Sequence, residues 1–218
     1  MKLLATSITA LTLCSGLSAT VFNDYSRFTE DAVVESFEGI ASAGNNLELG
    51  NSRNFSSGIT ITNDYSQNDT QQPYIVNAGF YGSSPADIRV PHGTAYLGQA
   101  SAGSNDSGIW VILPEEVELV GCYITTNYEK DENQAAINFE AYDSEDNLLA
   151  TELIRNISMD EWADSFFGFS GLGGISKIRF DGFGGILRVD KLTYEVPEPS
   201  SLALASLALP ALLMRKRK

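Results

Sequence analysis

From Val21 to Val196 no stretch sustains the 3.6-residue spacing of apolar side chains that an amphipathic helix needs. Gly, Asn, Ser and Asp interrupt the chain at short intervals, and Val, Ile, Phe, Tyr and Thr fill the segments between them. Segments that short can bury an apolar face only as strands joined by turns. The chain is therefore expected to be an antiparallel all-β domain, with two packed sheets to cover its apolar faces.

The clearest expected strands lie in the second half. Gly108 to Leu113 and Val117 to Asn127 flank a Pro-Glu-Glu segment that reads as a turn. Ala135 to Tyr142 alternates, with Ile137, Phe139 and Ala141 on one face. Asp143 to Asn147 is a hairpin turn, and Leu148 to Ile154 returns. Ser165 to Phe169, Ile175 to Asp181 and Leu187 to Tyr194 close the set, with Gly171 to Gly174 as a turn between the first two. Earlier strands are expected at Ala32 to Ile40, Gly58 to Thr62, Tyr74 to Tyr81 and Thr94 to Gly98. Asn45 to Ser56 reads as polar loop, and Met159 to Ala163 as one helical turn.

Both ends differ from this pattern. Lys2, the apolar run Leu3 to Leu13 and the small residues Gly16 to Ala19 have the order of a secretory signal peptide, residues 1–19. Cleavage is placed after Ser18 or Ala19. Signal peptidase and the general export machinery are the implied partners. At the other end Pro197, Glu198 and Pro199 precede an apolar run from Leu202 to Met214, and Arg215, Lys216, Arg217 and Lys218 follow it. The run is shorter than the ~18–20 residues of a relaxed membrane-spanning helix. The basic cluster would hold its end on the cytoplasmic side.

The domain between, residues 20–195, is long enough to bury one core. Of 28 acids and 14 bases, the ends remove Glu198, Lys2 and the four tail bases, leaving 27 acids against 9 bases. A net charge of that sign excludes nucleic acid as a partner. Cys122 is the one cysteine left, so no intrachain disulfide is available, and its place beside Val120 and Ile124 on one face predicts a buried thiol.

The tail of residues 196–218 resembles the PEP-CTERM sorting signal of Gram-negative bacteria: the Pro197-Glu198-Pro199 motif, a short hydrophobic transmembrane helix and the terminal Arg215–Lys218 cluster. The resemblance implies processing by an exosortase-type membrane protease. It implies transient anchoring in the inner membrane, then release or attachment at the cell surface. The stretch from Ala135 to Tyr194 is similar to the jelly-roll β-sandwich of such proteins, and so to carbohydrate-binding jelly rolls. The implied role is non-enzymatic: a structural or adhesive component of extracellular polysaccharide or biofilm matrix, with a lectin-like module as the alternative. A secreted glycan hydrolase is the third reading. It would need two carboxylates facing one another across a cleft.

Three sets of side chains carry these expectations. Structural calcium, held where the first and last strands of similar jelly rolls meet, would use Glu38 and Asp190. Asp190 is read on the same alternating face as Leu192 and Tyr194, or else paired with Arg179 or Arg188. Stacking on sugar rings would use exposed aromatics, Trp162, Tyr81 and Tyr96, whereas Trp110 in GIWVIL is assigned to the core. The only histidine, His92, excludes a multi-histidine zinc site.

Overall fold

The computed structural model describes residues 20–42, 45–63, 73–77, 93–101, 108–127, 136–155, 165–183 and 185–197. The expected signal peptide, the expected helical turn at Met159 to Ala163, and the tail after Pro197 lie outside these residues. Among the described residues, no helix is long and apolar enough to cross a membrane.

The strands are β1 (Thr20–Phe22), β2 (Val33–Glu35), β3 (Asn46–Glu48), β4 (Ser52–Asn54), β5 (Thr60–Asn63) and β6 (Tyr74–Asn77). They continue as β7 (Ala95–Ser101), β8 (Gly108–Asn127), β9 (Ala136–Tyr142), β10 (Leu148–Arg155), β11 (Phe166–Phe183) and β12 (Gly185–Glu195). All pairings are antiparallel. A 3-10 turn at Tyr25–Arg27 is capped by Asp24, whose carboxylate accepts from the Ser26 N–H at 2.8 Å.

β8 and β11 pair along most of their length and belong to both layers of a β-sandwich. The first part of β8 carries β5, and the last part of β11 carries β9 and then β10. The other part of β8 carries β12, β7, β6 and β3 in succession. β1 adds to the start of β11, and β2 to the end of β12. The two layers enclose one apolar core. Ile61, Val111, Phe139 and Ile178 come from the first layer, and Ile75, Leu97, Ile124 and Val189 from the second. Phe139 stacks on Phe180 with centroids 5.2 Å apart and meets Phe169 at 4.5 Å.

This frame corrects the segmentation read from the sequence. Pro114-Glu115-Glu116 does not end a strand; β8 runs through it. The β8–β11 ladder steps from Ile112 to Val117 with a register shift, so Pro114 falls where no ladder N–H is required. On β11 a second irregularity lies between Ser170 and Ile175, opposite Val117 to Leu119, where Gly171 (φ 76°) and Gly174 (φ 120°) take the left-handed backbone. The predicted glycine turn is therefore a bulge within one strand. Asn45 to Ser56 contains β3 and β4, held by pairing with β6 and β5 despite polar composition. The first expected strand stops at Glu35, because Phe37 adopts φ 60° with its N–H bound to the Glu35 carboxylate at 2.9 Å.

Thr20, Ser170, Leu119 and Glu195 lie in one row across β1, β11, β8 and β12. The chain thus enters and leaves the sandwich at the same end.

Phe139 is fully buried at the centre of this frame. Phe139→Ala is expected to lower unfolding free energy by about 3–5 kcal/mol, read as a shifted midpoint in urea denaturation followed by tryptophan fluorescence.

Candidate functional site

The outer face of the first layer carries an open aromatic and charged tray. Alternation along β8 sends Ile109 and Val111 inward and Trp110 outward. Cross-strand register then sets Thr62, Trp110, Arg179, Glu140 and Thr151 in one row across β5, β8, β11, β9 and β10. The assignment of Trp110 to the core is corrected. Its apolar run belongs to a strand buried on one face only, and Trp110 is half-buried on the other.

The side chains of this row are mutually oriented. The Arg179 guanidinium lies over the Trp110 ring, 5.3 Å from its centroid. Tyr142 packs against the same indole with centroids 4.9 Å apart. Arg179 Nη1 is 3.6 Å from both Glu140 Oε2 and Asp181 Oδ2. The Tyr142 hydroxyl donates to Glu140 Oε2 at 2.7 Å. Gly108 makes this possible, since a Cβ there would lie 2.8 Å from Arg179 Nε. One edge is closed by the ion pair of Lys177 with Asp146 on the hairpin turn. Burial, then the Glu140 carboxylate, push the Tyr142 phenol up to about 12. The tray offers a flat π surface, a cation, carboxylate acceptors and hydroxyls within a few ångströms, the mixture that recognises a polyhydroxylated ring.

The other predicted site residues fall elsewhere. Trp162, Tyr81 and the tail residues Glu198, Pro199 and Arg215–Lys218 lie outside the described residues. Pro197 is exposed at the end of the last strand. Tyr96 is corrected as an exposed stacking residue: it is 1% exposed on β7, beneath the Arg188 guanidinium.

Asp190 does not share the face of Leu192 and Tyr194. Lys191 at φ 48° forms a bulge, and the β12–β8 register shifts between Asp190 and Thr193. Asp190 therefore lies opposite Tyr123, with Arg188 on its face, and is fully buried. Its Oδ1 accepts the Lys191 N–H at 2.6 Å.

The expected meeting of first and last strands does occur, as β2 on β12. Glu38, just beyond it, is a clamp on the start of β7. Its Oε1 accepts the N–H groups of Thr94 at 2.6 Å and Ala95 at 2.8 Å, and its Oε2 accepts the Thr94 hydroxyl at 3.2 Å. Among the described residues, no three or more His, Cys, Asp or Glu side chains gather closely enough to hold a metal ion. Cys122 is fully buried, and burial, reinforced by the Asp190 charge, pushes its thiol well up. Asp31, Glu118 and Glu195 line a groove of about 680 Å³ at the end where the chain enters and leaves.

No family model matches the sequence, and no curated protein matches it. Among solved structures, the chain is similar to a Streptococcus pneumoniae fucose binding module at 18% identity, covering 47% of this chain and 70% of that one, with a TM-score of 0.33. It is similar to the K1 cleaved adhesin domain of Lys-gingipain from Porphyromonas gingivalis W83 at 12% identity, 77% and 99% coverage and TM-score 0.41. The CBM22-1 xylan-binding domain from Paenibacillus barcinonensis Xyn10C gives 11% identity, 72% and 99% coverage and TM-score 0.36. None of these likenesses assigns a ligand to this chain.

The Tyr142 phenol gives the tray a pH signature. Its folded value lies above the unfolded value near 10, so its contribution to stability is complete below about pH 10 and is lost as pH rises through about 12. Spectrophotometric titration should show a tyrosinate component near pH 12 that is lost in Tyr142→Phe.

Proposed function

We propose that this chain is an exported, non-catalytic carbohydrate-binding domain. The observation that carries this reading is the row of Trp110, Arg179 and Glu140, completed by Tyr142 and Asp181, on an outer sheet face. A sugar ring laid on that face would set its C–H groups against the indole. Its hydroxyls would donate to the carboxylates and accept from the guanidinium. Binding is favoured over hydrolysis because Glu140 and Asp181 both face one guanidinium rather than each other across an open cleft.

Delivery belongs to the same proposal. The N-terminal segment would direct export. The apolar run Leu202 to Met214 and the cluster Arg215–Lys218 would hold the tail in the inner membrane. Pro197–Pro199 would present the cleavage region to an exosortase-type protease. Pro197 is exposed immediately after the last strand, which supports access to that region. The released or attached domain would then act in extracellular polysaccharide or biofilm matrix.

Two experiments test the two parts. In affinity electrophoresis against a panel of neutral polysaccharides, the wild type should be retarded by at least one of them. Trp110→Ala should weaken that retardation roughly tenfold or more, with the melting temperature little changed; retention unaltered by this substitution would remove the tray as the binding face. For delivery, Glu198→Ala or loss of residues 215–218 should leave unprocessed protein in the membrane fraction. Normal release of both variants would sink the sorting reading.

A further inference from the structure

Beside the row of Trp110 runs a second row of outward side chains that offers a ligand mostly carbon. Register sets Thr60, Ile112, Lys177, Tyr142 and Leu148 in line across β5, β8, β11, β9 and β10. Ile112 stands two residues along β8 from Trp110, a step of roughly 6.7 Å in a strand. Val111 and Leu113 on either side of it are buried, so Ile112 shares the outer face with Trp110. The polar groups of this row are directed elsewhere. The Thr60 hydroxyl donates to Asn54 Oδ1 at 2.7 Å, the Lys177 ammonium meets Asp146, and the Tyr142 hydroxyl donates to Glu140 Oε2 at 2.7 Å.

Ile112 and Leu148 stand open among these groups, 36% and 52% exposed. Four large apolar side chains are exposed among the described residues, and three of them, Ile112, Leu148 and Leu153, lie on this one face. Apolar exposure gathered on one face marks a contact surface, whereas single apolar residues scattered over an exterior do not. A sugar hydroxyl pressed against Ile112 would lose water and gain no partner. A methyl group in the same place gives up no hydrogen bond and buries apolar area on both sides. The charges of the two rows are compensated in place, Arg179 by Glu140 and Asp181 and Lys177 by Asp146, so the face calls for no ionic ligand.

We propose that the tray binds a neutral glycan whose residues carry methyl groups, as 6-deoxyhexoses or O-acetyl esters, and that a methyl seats on Ile112 when its ring lies on Trp110. Leu148 receives a second methyl further along the same glycan. That a sugar lies on the tray rests on the carbohydrate-binding reading above; the methyl preference stands on the exposed aliphatic row. Both side chains are open to solvent, so a ligand reaches them without movement of the fold.

Matched ligands that differ by this group test the inference on the full chain. Polymer-linked L-fucose and L-galactose differ at C6 as methyl and hydroxymethyl, and acetylated glucomannan can be set against the same polymer after alkaline deacetylation. In biolayer interferometry the methyl-bearing member of at least one pair should bind roughly fourfold more tightly or better, the worth of one buried methyl. The pair that responds distinguishes a deoxy sugar from an ester. Ile112→Ser should erase the preference and Ile112→Val should retain it. Leu148→Ser, at a still more exposed position, should reduce it on the polymer. Equal binding within both pairs, or a preference unchanged in both serine variants, would overturn this inference while leaving the Trp110 tray in place. No retention on any glycan would overturn the carbohydrate-binding reading along with it. Concentration-dependent dimerisation that is lost in Ile112→Ser would also overturn it, by assigning the face to a second copy of the chain.

Discussion

The pairing of β8 with β11 is the constraint on which the rest of the sandwich depends. Every other strand joins this ribbon directly or through a neighbour: β5 and β12 on β8, β1 and β9 on β11, the remainder beyond them. A long two-stranded ribbon coils, and its two ends diverge in direction. The register shifts near Val117 and Ile175 let one ribbon serve two layers. The glycines at 171 and 174 supply backbone conformations that a side chain would oppose, and Pro114 occupies the gap in the ladder. Cys122 is a free, buried thiol, and the frame rests on this pairing and on the aromatic core between the layers.

The two layers use their outer faces differently. On the first, charges are compensated in place: Arg179 lies between Glu140 and Asp181, and Lys177 meets Asp146. That face is half-open and its polar groups are held still, so a ligand would find an ordered surface. On the second, β12 has buried residues on both faces, and Arg188 retains unmet donors.

How far the sequence disclosed this depends on how local each signal was. β9 was legible because Ile137, Phe139 and Ala141 alternate in a strand with one buried face, and Cys122 because it repeats that pattern with Val120 and Ile124. The unity of β8 was hidden, since a proline between acids has the composition of a turn and only the partner strand shows otherwise. Trp110 was misplaced because GIWVIL is apolar on both faces, and Ile112 beside it is 36% exposed. Asp190 was placed on the wrong face by strict alternation, which one residue at φ 48° is enough to reverse. The polar strands β3 and β4 gave no periodic signal, since pairing partners far along the chain hold them extended. Arg188 was visible only as a partner for Asp190; that its donors are unmet is a property of three dimensions.

Entry and exit of the chain in one row have a mechanical consequence. If the domain is tethered through the segment after Glu195, tension reaches β12 first and acts along that strand's axis. β12 is flanked by β8 and by β7 and β2 in succession, so the load falls on many ladder hydrogen bonds at once, in shear. Peeling would break them singly, as it would at an edge strand such as β10, which pairs on one side with β9. The point of attachment thus draws on a strand bonded along both sides, while the Trp110 face lies on the other layer, at the far part of β8 from the β12 ladder.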